Sequence, residues 1–287
     1  MTKEEYINQY RQVLRLRNLR PNTCKTYLDL IQVFLNWCET ADVFPPDITK
    51  SQLLDFFCTI KSPSTFRQMR GTISNFYEYC CGNKYILAGV PFAKKVKTLP
   101  EYLTIHEIDQ VFKATKNHKQ RVILKMMYNL GLRVHEVVKV KWNDWCATGN
   151  EYDLKVIGKG GKHDLIPAPI ELVEEIKIFL GDSFGQNEFM FKGQFKGCYS
   201  ERSVQEVFHR SMDYCKIHKN GSTHLFRHSI GTHMAQNGFN AFQIQKFLRH
   251  ESIKTSLTYV HLAKGDLRKP LQEMRLQIAN TLQKQLT

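Results

Sequence analysis

The sequence predicts a mainly α protein with a small β-sheet, divided into two domains. Three observations carry that expectation. Apolar side chains recur at helical spacing through most of the chain, residues 152–157 and 163–167 read instead as short strands about a glycine-rich turn, and residues 91–100 show neither pattern. At 287 residues the chain suits two domains and is long enough to bury a sizeable core.

Tyr6, Ile7, Tyr10, Val13 and Leu14 form the apolar stripe of a first helix, which the segment from Asn18 to Pro21 breaks. A second helix follows Pro21, with Tyr27, Leu30, Ile31, Phe34, Leu35 and Cys38 on one face. The double proline Pro45-Pro46 precedes a third, at residues 48–60. The fourth has the clearest start: Ser62 caps it, Pro63 suits its first turn, Met69, Ile73, Phe76, Tyr77 and Cys80 make its stripe, and Gly82 and Asn83 stop it. Residues 1–90 therefore read as a small helical domain, whose polar faces carry Arg11, Arg15, Arg17, Arg20, Lys25, Arg67 and Arg70. Residues 91–100, PFAKKVKTLP, read as an extended basic linker containing Lys94 and Lys95.

Residues 101–287 make the second domain. Thr104 and Glu107 form a capping box for its first helix, and residues 120–130 make a very apolar one that should be central. Gly131, Leu132 and Arg133 end that helix, and residues 134–140 are helical again. Strands at residues 152–157 and 163–167 flank the turn Gly158-Lys159-Gly160-Gly161-Lys162. That turn is no nucleotide-binding P-loop, because it lacks the glycine spacing, the following Ser or Thr and the helix. Helices at residues 169–180 and 200–218, with a short strand at 189–191 between them, lead to Thr223, the expected cap of the helix carrying His224, Arg227 and His228. A final helix carries Leu267, Leu271, Met274, Ile278 and Leu282 on one stripe, which suits either folding back on its own domain or docking on a neighbouring protomer.

Charge narrows the partners. The chain carries 41 Lys and Arg against 27 Asp and Glu, a net +14. Residues 1–100 hold 14 basic and 8 acidic side chains and the remainder 27 and 19, so both domains are basic and a polyanion touching both is favoured. The eight cysteines form no Cys-x-x-Cys pair and read as reduced core thiols of a cytoplasmic protein. Neither a leader nor an apolar run long enough to span a membrane is visible.

Gly-Leu-Arg at 131–133 with Glu136, Gly-Lys-Gly at 158–160, His-x-x-Arg-His at 224–228, Leu-x-His at 248–250 and Tyr259 resemble, in order and spacing, the tyrosine recombinase (phage integrase) family. The likeness covers nearly the whole chain and is to a simple two-domain, Xer-like member. It implies a helical core-binding domain that clamps DNA and a mixed α+β catalytic domain, in an enzyme that cuts and rejoins double-stranded DNA at specific sites. It also implies a tail at residues 266–287 that docks on a neighbouring protomer, self-association to a tetramer on paired sites, and mobile-element or chromosome-resolution biology. A relaxing enzyme of the type IB topoisomerase kind and a catalytically silent DNA-binding protein of the same fold are the alternatives.

The residue types fit the implied chemistry. Planar guanidinium groups on Arg133 and Arg227 match the non-bridging oxygens of a phosphodiester under attack. Arg133 also reads as a structural salt bridge to a carboxylate such as Glu136. His224 would bind the same phosphate or assist proton transfer, and His250 would complete the clamp. Tyr259 would be the nucleophile; a free phenol has a pKa of about 10, so a cationic site is expected to stabilise its phenolate. The attack would leave a 3′-phosphotyrosine and a 5′-hydroxyl, with Lys159, or its rival Lys162, protonating the leaving oxygen. One phosphoester replaces another, so neither ATP, metal nor other cofactor is called for. His228 and His233 read as packing or hydrogen-bonding side chains, although His224 and His228, four apart, are also spaced to share a metal.

The chain departs from the family at Arg249, where glycine is usual, and at Phe226, where leucine is common. Arg249 therefore implies either a different cap or a further phosphate contact, and it joins Arg67, Arg70, Lys94, Lys95 and Lys162 as a candidate DNA-binding residue.

Overall fold

The computed structural model describes residues 1–92, 100–149, 151–157, 163–181, 188–193, 197–262 and Gln272. The chain divides into two compact units, residues 1–97 and 98–287. Among the described residues no helix is long and apolar enough to cross a membrane.

The first unit holds four helices: α1 (Lys3–Leu16), α2 (Pro21–Thr40), α3 (Lys50–Cys58) and α4 (Pro63–Cys80). Capping explains where three of them start. Thr2 and Thr49 form reciprocal boxes with Glu5 and Gln52, and Ser62 Oγ accepts from the Thr65 N–H ahead of Pro63. The third helix starts at Lys50 rather than at residue 48, because Pro45–Asp47 forms a separate 3-10 turn and Thr49 is the better cap. The stripes meet in one core of Tyr10, Leu14, Ile31, Phe34, Phe56 and Phe76 with Tyr77, whose hydroxyl donates to the Pro45 carbonyl at 2.5 Å.

The second unit begins with α5 (Ile105–Ala114), opened by the Thr104–Glu107 box, and α6 (His118–Asn129). Val122, Ile123, Leu124, Met126 and Met127 of α6 are all buried, and that helix packs on α5, on α7 (Val134–Val137), on α8 (Ile170–Leu180), on α9 (Glu201–Tyr214) and on α10 (His224–Gln236). A three-stranded antiparallel sheet lies between α7 and α8: β1 (Trp145–Thr148), β2 (Glu151–Ile157) and β3 (His163–Ala168), in that order, with Leu154 opposite both Trp145 and Ile166. The unit closes with α11 (Ala241–Leu248) and α12 (Ile253–Leu262).

Several expectations are corrected. β1 adds a strand that the sequence reading lacked, α7 stops at Val137 rather than residue 140, and Phe189 makes one isolated bridge to Lys141 instead of a strand. Thr223 precedes α10 with helical φ and ψ and no side-chain cap. Of the eight cysteines only Cys38 is buried, while Cys58 and Cys146 are exposed. The linker at residues 91–100 and the final helix fall almost wholly outside the described residues. Phe226 is a core side chain, wedged among Phe112, Tyr128 and Phe208.

Candidate active site

The site starts at the end of α6. Gly131 has φ 56, and a Cβ there would lie 2.6 Å from Leu248 Cδ2, so only glycine permits both this turn and the close approach of α11. The turn delivers Arg133 to the N-terminus of α7, where its backbone N–H donates to Glu136 Oε2 at 2.7 Å and its Nη1 to Glu136 Oε1 at 2.9 Å. The salt-bridge alternative for Arg133 is thus realised, yet its side chain stays 31% exposed and the guanidinium keeps donors to spare.

Helix α10 brings the next three groups. Arg227 is 4% exposed; its Nη1 donates to the Gly131 carbonyl at 2.5 Å and its Nη2 to the Leu248 carbonyl. One guanidinium therefore ties the turn after α6 to the end of α11. Burial, then Arg133 and Arg249 nearby, push its proton affinity down. A guanidinium with two carbonyl acceptors remains a cation, so the site carries fixed positive charge. His224, one turn earlier, is exposed as a residue, but its ring loses enough hydration beside Arg227 and Arg133 to sit below the usual imidazole range.

The remaining groups come from α11, the following turn and α12. Arg249 itself adopts the left-handed conformation, φ 54 and ψ 48, that glycine takes without penalty, at a cost of about 1–2 kcal/mol. His250 donates or accepts through Nδ1 with the buried Ser256 hydroxyl at 2.8 Å, and burial, followed by Arg227 and Arg133, pushes its pKa down to about 3. Its ring lies 5.9 Å from that of Tyr259 and nearly parallel to it. Tyr259 is 2% exposed, packs against α10 at Gly231, and shares a 2.9 Å hydrogen bond with His228 Nδ1. Burial raises its phenol above the ordinary value and outweighs the lowering by Arg227 and Arg133. The expected stabilisation of a phenolate by the arginines is present but smaller than the effect of burial. Tyr259 is held protonated, and its deprotonation needs an acceptor.

His228 is the residue that sequence reasoning undervalued. Burial, then His224 and Arg227, hold its imidazole below the usual range, so it is neutral and able to accept the phenolic proton. The signal was available: His228 and Tyr259 lie in the two stretches already singled out, but only the packing of α12 on α10 brings them together. His233 instead hydrogen-bonds Tyr128 at 2.9 Å, away from Tyr259. Among the described residues no His, Cys, Asp or Glu cluster is arranged to hold a metal.

The candidate DNA contacts fare unevenly. The Arg249 side chain, 4% exposed, turns inward to Glu136 Oε2 at 2.9 Å and to the Gly131 and Phe247 carbonyls, so it offers no surface contact. Arg70 is half-buried, donating to the Val90 carbonyl with its guanidinium 3.9 Å from the Phe92 ring centre, and Arg67 is half-buried beside it on α4. Both are less available than their helical positions suggested. Lys94, Lys95, Lys159 and Lys162 lie outside the described residues.

Residues 101–266 match the phage integrase family, and residues 6–87 match the phage integrase N-terminal SAM-like domain. The chain is 26% identical over 275 residues to tyrosine recombinase XerD of Bifidobacterium longum, covering 86% of this chain and 89% of that protein. It is 27% identical over 278 residues to tyrosine recombinase XerC of Staphylococcus aureus, covering 88% and 90%. In fold it is similar to the XerH site-specific recombinase bound to palindromic difH substrate in a post-cleavage complex, with TM-score 0.73 at 19% identity over 89% of this chain and 80% of that one. It is also similar to a lambda integrase tetramer bound to a Holliday junction, with TM-score 0.74 at 18% identity over 90% and 77%.

Proposed function

From the premise that this chain belongs to the phage integrase family, we propose that it is a site-specific DNA recombinase in which Tyr259 cuts and rejoins strands. The observation that carries the reading is convergence. Arg133, His224, Arg227, His250 and Tyr259 come from four separate stretches, and α6, α10, α11 and α12 bring them into one electrostatic neighbourhood.

Arg133 and Arg227 bind the non-bridging oxygens of the scissile phosphate, where charge builds up as the phosphorus is attacked. Tyr259 Oη forms the new bond to phosphorus and the bond to the 5′-oxygen breaks, giving a 3′-phosphotyrosine. The phenolic proton passes to a neutral imidazole, and His228 already holds that hydroxyl. The departing 5′-oxygen takes a proton from Lys159 or Lys162. His224 and His250, both beside Arg133 and Arg227, complete the phosphate clamp. Attack by the 5′-hydroxyl of a partner strand then restores a diester, so bond energy is carried through the intermediate and neither ATP nor metal is called for. We also propose that copies of the chain assemble as a tetramer on paired duplexes; the related lambda integrase tetramer on a Holliday junction supports that reading. Nothing favours simple relaxation of supercoils, since the relatives named above are recombinases.

The test uses a nicked suicide duplex, selected from a randomised pool by adduct formation with the wild-type protein. A denaturation-resistant adduct is expected with the wild type and none with Tyr259→Phe, which still binds the duplex. An adduct that survives the substitution removes Tyr259 from the mechanism.

A further inference from the structure

Arg249 occupies a backbone position that suits glycine, and its long charged side chain is turned into the protein. Such a side chain must be compensated by what it touches. Its Nη2 meets Glu136 Oε2 at 2.9 Å and the Gly131 carbonyl at 3.4 Å, and its Nη1 meets the Phe247 carbonyl at 3.0 Å, while its buried Nε finds no partner among the described residues.

Glu136 is the hub. Its side chain is 5% exposed, and it holds two arginines at once: Arg133 through Oε1, and Arg249 through Oε2, which also accepts the Arg133 backbone N–H. The two arginines differ in access, 31% exposed for Arg133 and 4% for Arg249. Of the two arginines on Glu136, Arg133 is the one open to an incoming phosphate. A buried carboxylate with a single cation grips that cation, because letting go leaves a bare charge in a poorly hydrated site. Glu136 alone would therefore compete with the phosphate for Arg133.

We propose that Arg249 is a positioning residue for strand cleavage: it keeps Glu136 paired from inside the protein, so that Arg133 can pass Nη1 from Glu136 to a non-bridging phosphate oxygen. Arg249 touches neither DNA nor Tyr259. It acts through Glu136, and it anchors the turn whose next residue is His250. The inference rests on the reading of Arg133 as a phosphate ligand.

The experiment measures single-turnover adduct formation on the selected suicide duplex at saturating protein, together with duplex affinity and thermal melting. Arg249→Gly suits the backbone and keeps Arg133 on Glu136, and the melt checks that it is folded at the assay temperature; its maximal cleavage rate is expected to fall about tenfold or more, with affinity changed less than about twofold. Adding Glu136→Gln removes the charge that then grips Arg133, so the double variant should cleave faster than Arg249→Gly alone. Arg249→Lys, which keeps a cation beside Glu136, should recover part of the rate. Wild-type cleavage by Arg249→Gly overturns the proposal, and so does a double variant no faster than the single one, since a merely structural loss is not repaired by a second change. Arg133→Ala separates the two readings. If it cleaves normally, the phosphate role of Arg133 fails; if it is inactive while Arg249→Gly is normal, only the role of Arg249 fails.

Discussion

The protein keeps neutral the imidazoles of the site and, away from Tyr259, that of His233. His224, His228, His233 and His250 are all held below the ordinary imidazole value, burial being the first cause in each, with Arg227 and Arg133 adding to it at His224 and His250 and Arg227 at His228. The sign of the consequence follows from linkage. The unfolded chain binds protons on these rings at higher pH than the folded one, so stability is complete above about pH 6.5 and declines as pH falls below it. Each histidine contributes at most about 1.4 kcal/mol per pH unit. Glu136 is also shifted down: burial would raise it, but Arg249, the Arg133 N–H and Arg133 outweigh burial. Its contribution is present above the ordinary carboxylate value and is lost only at lower pH, so it adds little slope between about pH 5 and 6.5. Thermal melts from about pH 5 to 7 should therefore rise with pH, and His250→Asn, which cannot titrate there, should flatten the rise. Parallel curves for the variant and the wild type would show that His250 is not buried neutral. None of these shifts was legible in the sequence. Motif order located His224 and His250, but their charge state depends on which arginines the fold sets beside them.

Element by element, legibility tracked local chemistry. Stripes and caps that act within one helix, such as Thr104 with Glu107 or Ser62 before Pro63, were readable because both partners lie in the same few residues. β1 was not, since Trp145 to Thr148 has no clear alternation and becomes a strand only by pairing with β2. The turn between α11 and α12 shows the same limit in the site. Arg249 reads as a surface cation beside a helix end, and only the buried carboxylate of Glu136, more than a hundred residues earlier, draws it inward. Two side-chain bonds tie α12 itself to its surroundings, His250 with Ser256 and Tyr259 with His228, beside those that Gln245, Arg227 and Arg249 make at the turn. Ser256 is fully buried, so Ser256→Ala leaves the His250 Nδ1 without its partner and should cost about 1–3 kcal/mol. It should also slow adduct formation by loosening the helix that carries Tyr259. Tyr259→Phe removes one hydrogen bond and keeps the packing, so about 1 kcal/mol is expected there. If Ser256→Ala melts and cleaves like the wild type, the His250–Ser256 bond does not hold α12 in place.

At the scale of the whole molecule, charge and assembly carry the remaining consequences. A net +14 spread over both units predicts duplex binding that weakens steeply with salt, as neutralised phosphates release counterions. Log-log affinity plots should slope strongly downward between about 50 and 200 mM salt, and a flat plot would contradict binding by both units. The proposed assembly is expected to use a different surface. The second unit carries a groove of about 870 Å³ whose walls include Ile105, Tyr128, Ile230, Met234, Phe239 and Phe247, with Glu151 and Asp153 along it. Ile105 is 68% exposed and Phe239 44%, more apolar surface than a solitary protomer needs to show. The tail at residues 266–287, outside the described region except for Gln272, supplies in sequence what such a groove accepts: the stripe Leu267, Leu271, Met274, Ile278 and Leu282, with Arg268, Lys269 and Arg275 to meet the two carboxylates. If the tail of one protomer fills the groove of the next, deleting residues 266–287 leaves single-site binding and the Tyr259 adduct in place but abolishes multimers on paired duplexes. Ile105→Glu, at the other side of the same contact, should do likewise. Sedimentation of the protein with paired duplexes reads both variants, and full-size assemblies from either would place the protomer contact elsewhere.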